Sequence, residues 1–232
     1  MLRLVDLSFD IYDKAPTFYP DPKTAVIEHL KIEDLNYNIT QLVMSTHLGT
    51  HLDAPFHFFD DGRTVEKLDV RKGFGPAWVL DFTNKMGGEG ITLEDIKKHA
   101  DKITRGSRII IHTGWDKVFP QKQYFGGQPY LSVEASTWLA KQGVWCVALD
   151  CPSTYPEKYT PSHHSLLNKD AEVLIIEGLR GLERLQSEKV ILIALPLRIR
   201  GRDGSPCRAM AIDGDIEPIA KLFDELEFSI EE

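Results

Sequence analysis

Between His47 and His57 the chain reads His-Leu-Gly-Thr-His-Leu-Asp-Ala-Pro-Phe-His, so three of its eight histidines and one carboxylate fall in a single short run. Neutral imidazole and carboxylate suit borderline divalent ions such as Zn²⁺ or Mn²⁺, and a donor set with no cysteine points to a catalytic site over a closed structural one. His47, His51 and Asp53 are the candidate ligands. His57, past Pro55, stands near enough to be another ligand, a neighbour that orients one, or a proton carrier for metal-activated water. The proton carrier is the expected role.

Three ligands leave a metal with open positions. A histidine from His163-His164 together with Glu177, which follows the apolar run from Val173 to Ile176, could complete that site or create a second one. Two ions sharing Asp53 would clamp a carbonyl and its attacking water together. Arg198, Arg200 and Arg202 alternate before Asp203-Gly204 and read most simply as a solvated strand end, although a guanidinium there could hold an anionic substrate group. His29, His99 and His112 carry no usable pattern.

The elements must bend the central run. On a regular helix Asp53 would point away from the face shared by His47 and His51. A straight strand would spread the four odd-numbered side chains over about 33 Å. Gly49 permits an unusual backbone angle and Pro55 pushes Ala54 into an extended one, so the motif is expected on a strand end that curls around an ion.

Upstream, residues 2–9 read as a strand. Tyr12 to Pro22, with Pro16, Pro20 and Pro22 around Phe18 and Tyr19, reads as a stiff loop presenting rings. Residues 39–45 read as a strand buried on both faces that delivers the chain into the histidine cluster. Downstream strands are expected over 75–82, 108–112, 144–149, 189–195 and 208–212. Thr92 to Asp95 forms a capping box, Ser132 caps a helix running to Gln142 with Gly143 beyond it, and another helix is expected to reach Gln186. Strand-to-strand steps among the helices imply a mixed sheet in an α/β fold.

A chain of 232 residues without linker, repeat or low-complexity block fits one domain over 1–232. With 27 basic against 35 acidic residues, a net charge of −8 argues against a nucleic-acid partner. Cys146, Cys151 and Cys207 form no CxxC pair, and no apolar run approaches the length of a membrane span, so a cytoplasmic protein acting on a small molecule is expected.

The pattern His-x-Gly-Thr-His-x-Asp-x-Pro-x-His resembles the signature of the cyclase family of metal-dependent hydrolases, which includes bacterial kynurenine formamidases (arylformamidases of tryptophan catabolism) and isatin hydrolases. The resemblance extends through Asp6-Leu7-Ser8, Thr113-Gly114-Trp115, Leu149 to Ser153, His163-x-x-Leu166-Leu167, Glu177-Gly178-Leu179 and Asp203-Gly204-Ser205-Pro206. It implies a swivelling β/β/α fold with flanking helices, assembled as a homodimer or homotetramer. It also implies two Zn or Mn ions, one held by His47, His51 and Asp53 and the other by Asp53, His163 and Glu177, with His57 as proton donor and acceptor. The Leu-Leu pair selects His163 over His164. Where kynurenine formamidases carry Trp-Pro-Gly-Asp this chain has Tyr19-Pro20-Asp21-Pro22, which makes Tyr19 the expected substrate-packing ring. The implied reaction is hydrolysis of an aryl formamide or small cyclic amide. The alternatives are a related hydrolase of another cyclic amide or lactone, and a metal-stabilised protein without catalysis.

Overall fold

The computed structural model describes residues 1–155 and 161–225. The first half of the chain gives β1 (Arg3–Asp6), β2 (Ala25–Leu30), α1 (Ile32–Leu35), β3 (Ile39–Val43), β4 (His51–Asp53), β5 (Phe74–Asp81), β6 (Gly90–Ile91), α2 (Leu93–Lys97) and β7 (Arg108–His112). The second half gives β8 (Tyr130–Leu131), α3 (Val133–Gln142), β9 (Cys146–Leu149), α4 (Pro161–Leu167), β10 (Leu174–Glu177), β11 (Lys189–Ile193), β12 (Gly204–Pro206), β13 (Met210–Asp213) and α5 (Glu217–Glu225).

Nine strands form one mixed sheet in the order β1-β13-β11-β5-β7-β9-β10-β4-β12. The neighbours β5, β7, β9 and β10 run parallel, and the pairings outside them are antiparallel. Burial explains this arrangement. β9 and β10 are buried at every position, as is β7 over its first four residues, because both faces are covered. Ile109, Ile111, Val147 and Ile175 pack with Ile96, Leu139 and Leu166 from the helices, whereas Ile110, Ala148 and Ile176 pack with Leu52, Leu7 and Val190.

Local chemistry places the helix starts where expected. Thr92 Oγ1 accepts from the Asp95 N–H and Asp95 accepts from the Thr92 N–H, while Ser132 Oγ accepts from the Ala135 N–H. Gly143 takes φ +71° at the end of α3.

Two expectations are corrected. β3 is exposed at every residue and, among the described residues, pairs only with β2, because its apolar composition favours an extended backbone but the hairpin stands away from the core. The helix expected to reach Gln186 is a single 3₁₀ turn, Leu182–Arg184, opened by Gly181 at φ +73°. None of the described helices is long and apolar enough to cross a membrane.

Candidate metal centre

The short strand β4 organises the site. His51 and Asp53 leave it on one face, while Leu52 between them is buried in the core on the other. β4 lies between β10 and β12, with His51 opposite Glu177 and Asp53 opposite Gly204. His47 arrives from the preceding turn, where Gly49 has φ +61°, and His57 from the 3₁₀ turn Pro55–His57. The expected bend is therefore a turn entering a strand, followed by a second turn. The short α4 supplies His163. His163, Leu166 and Leu167 share its buried face at helical spacing, which leaves His164 exposed.

The polar atoms converge closely. His47 Nδ1 lies 2.9 Å from Asp53 Oδ1, and His51 Nε2 lies 3.5 Å from both Asp53 Oδ1 and Glu177 Oε2. His163 Nε2 lies 3.0 Å from Glu177 Oε1 and 3.4 Å from Asp53 Oδ2. Surrounding groups fix these side chains: His51 Nδ1 is 2.9 Å from Gly49 O, Thr154 Oγ1 is 3.0 Å from His163 Nδ1, and the Thr154 N–H donates to Glu177.

Asp53 and Glu177 are only 1% and 4% exposed, which is costly for two carboxylates without a lysine or arginine between them. Among the described residues Asp53 Oδ2 has no hydrogen-bond partner of ordinary geometry, and the nearby His163 nitrogen is closer to Glu177. Candidate ligand atoms fall into two groups, each within 4.8 Å: His47, Asp53 and His57, and His51, Asp53 and Glu177. A buried carboxylate that is shared by two nitrogen-and-oxygen clusters and keeps one oxygen unpartnered fits a divalent cation. His57 belongs to one cluster, so geometry admits it both as ligand and as proton carrier.

In the polypeptide alone the histidines share the neutralisation unequally. Burial opposes charging of His47, but Asp53 and Asp203 outweigh it and lift the imidazole to about 10; His163 is lifted to about 9 against burial by Asp53 and Glu177. Burial instead depresses His51 and His57 to about 4. Glu177 is raised by burial and by Asp53, whereas its histidine neighbours hold Asp53 well below the carboxylate range despite burial.

Asp203 is the residue that spacing did not reveal. Its Oδ2 lies 2.7 Å from His47 Nε2, accepts from Thr46 Oγ1 at 3.0 Å and lies 3.9 Å from His57 Nδ1. The rings of His47 and His57 stack with centroids 3.9 Å apart. The next residue, Gly204, admits no side chain, since a Cβ there would lie 2.7 Å from His47 Cε1. Arg198, Arg200 and Arg202 are exposed and line none of this site.

A recess of about 230 Å³ opens over the cluster, walled by Phe18, Phe58, Tyr155 and Pro152 and bordered by Asp21. Tyr19, the expected substrate ring, is 86% exposed and is not among the lining residues; its neighbour Phe18 is. A larger open groove of about 760 Å³, bordered by Asp10, Lys117, Arg180 and Arg184, shares no lining residue with the recess and contains no histidine.

The family model described as "Putative cyclase" matches residues 5–156. The kynurenine formamidase of Geobacillus thermodenitrificans is 38% identical over 77% of this chain and 82% of its own length. A solved structure of a potential metal-dependent hydrolase with cyclase activity superposes with a TM-score of 0.78 at 25% identity, covering 93% of this chain and all of the other. A crystal structure of an isatin hydrolase bound to the product analogue thioisatinate gives a TM-score of 0.79 at 24% identity, covering 91% of this chain and 92% of the other.

Proposed function

The chain belongs to the cyclase family, and we propose that it is a metal-dependent hydrolase that cleaves the C–N bond of an aryl formamide or a small cyclic amide. The observation that carries this reading is the convergence of His47, His51, Asp53, His163 and Glu177 beneath an aromatic recess, with Asp53 shared between two ligand clusters. The kinship with kynurenine formamidases, at 30–38% identity among the relatives compared, supports the amide bond as target.

In this reading the five residues hold two divalent ions, Zn²⁺ or Mn²⁺, as nitrogen and carboxylate donors suit both. When bound, such ions supply Lewis acidity toward a carbonyl oxygen and acidify water near neutrality. The chain's own residues do the rest. Phe18 and Phe58 hold the substrate ring against the cluster and exclude water from one side of the amide. His57, half-buried and depressed to about 4 in the polypeptide alone, is neutral at pH 7 and so can accept the proton of the attacking water at a ring nitrogen. It then returns that proton to the departing arylamine nitrogen. Asp203, near His57 Nδ1, orients the ring and favours its transiently charged form.

The 232 residues act as one domain in a cytoplasmic homodimer or homotetramer. Support for assembly lies in the β2–β3 hairpin, where Ile27, Ile39, Leu42 and Val43 are exposed, since a two-stranded hairpin is marginal without a covering surface. The decisive assay offers metal-loaded protein formanilide, N-formylkynurenine, isatin and simple lactones. Turnover of a formamide or isatin that chelator abolishes and Zn²⁺ or Mn²⁺ restores is expected; lactone turnover alone would overturn the amide reading, and a folded, metal-loaded protein inert to all would leave a structural metal site.

A further inference from the structure

Asp21 borders the recess without belonging to the ligand clusters. It lies in the Pro-flanked loop, between Pro20 and Pro22, where the Asp21 N–H donates to Phe18 O at 2.8 Å, and its Oδ2 accepts from Ser45 Oγ at 3.2 Å. The carboxylate is thus fixed on the wall next to Phe18. It is half-buried, and the charged groups acting on it are His47 and Asp203, with no lysine or arginine among them. None of the described residues lining the recess is a lysine or arginine either.

The recess is consequently polarised in an unusual way. Its floor consists of imidazoles and carboxylates that would hold the ions, its sides are aromatic, and its remaining side-chain charge is one carboxylate on the rim. Aromatic faces and a desolvated carboxylate both attract a cation, and a substrate carboxylate would meet Asp21 with no opposing positive side chain in the described wall.

Building on the proposed amide hydrolysis, we infer that Asp21 is a specificity-determining residue that receives an ammonium group, so that this recess selects aromatic amides carrying a primary amine over those whose only charge is a carboxylate. The ring would lie between Phe18 and Phe58, with the reacting amide over the histidines and the amine directed at Asp21. Asp21 binds substrate and takes no part in the bond-breaking step.

The test does not depend on turnover. Two anilines matched in ring and chain length, one ending in a primary amine and the other in a carboxylate, are titrated calorimetrically into metal-loaded protein. The amine is expected to bind at least about tenfold more tightly, the ratio that about 1.4 kcal/mol produces. Asp21→Asn should bring the two affinities together, and Asp21→Glu should keep the preference, with bound metal measured in each. Equal affinities in the native protein, or a preference that survives in Asp21→Asn, would overturn the assignment. So would a loss of bound ions in Asp21→Asn, which would make Asp21 a ligand. Formanilide turnover by the same preparation tests the hydrolase reading separately: turnover without amine preference removes the Asp21 assignment alone, whereas amine preference without turnover upholds Asp21 and removes the hydrolase.

Discussion

At the scale of single residues, His57 and Asp203 separate proton transfer from metal holding. His57→Ala should lower kcat by about 10² to 10⁴ while metal content stays near that of the parent, measured by steady-state kinetics and elemental analysis. A parallel loss of metal and activity would make His57 a ligand. Asp203→Asn removes the carboxylate at His47 Nε2 and should weaken metal affinity by about 10- to 100-fold, read by competition with a chelating dye. The four titrating histidines also predict how the chelated protein responds to pH. His47 and His163 are raised to about 10 and 9, so their contribution is full below the ordinary histidine value and is lost as pH rises through those figures. His51 and His57 are depressed to about 4, so the unfolded chain binds more protons than the folded one between there and the ordinary value, and stability falls as pH drops through that window. Thermal unfolding after chelation should therefore be most resistant between these limits, near pH 6.5. A midpoint that rises steadily from pH 7 to pH 10 would contradict the assignment.

At the scale of elements, legibility tracks how local the determining physics is. β7 was readable from Arg108 to His112 because a continuous apolar run bounded by polar residues suits a doubly covered strand. Thr92 and Ser132 were readable because a cap is decided within one turn; Thr92→Ala should cost about 1 kcal/mol in denaturant unfolding. The strand β3 was readable but its exposure was not, since Ile39, Leu42 and Val43 look alike whether they face a core or another molecule. Asp203 was hidden for a related reason: it reaches His47 only because β12 pairs with β4, and no short-range spacing encodes that pairing. The exchange of Tyr19 for Phe18 at the recess depends on how the loop between them turns, which ring content alone does not report. Leu42→Asp on the exposed hairpin should shift the protein toward monomer in sedimentation velocity with its fold intact. An unchanged sedimentation coefficient would remove the hairpin from the assembly.

At the scale of the whole molecule, the site joins parts of the chain that are far apart in sequence: a turn and β4 near residue 50, α4 at His163, β10 at Glu177 and β12 beside Asp203. Ions bound by the ligands these parts carry, but not by the unfolded chain, would add stability by mass action, about 4 kcal/mol at a thousandfold excess over Kd. Removing metal should thus lower the unfolding midpoint, and the effect should grow with the concentration of metal restored. The position of β4 between two partners also bears on how the molecule is made. Ile175 and Gly204 both lie opposite Asp53, so the ladder that fixes this carboxylate joins segments synthesised far apart in time. Closing such long loops is slow compared with forming local turns and helices. A nascent chain emerging as far as α3 already displays His47, His51 and Asp53 but has neither flanking strand. Ion capture by the complete set of side chains would therefore be an event of late folding.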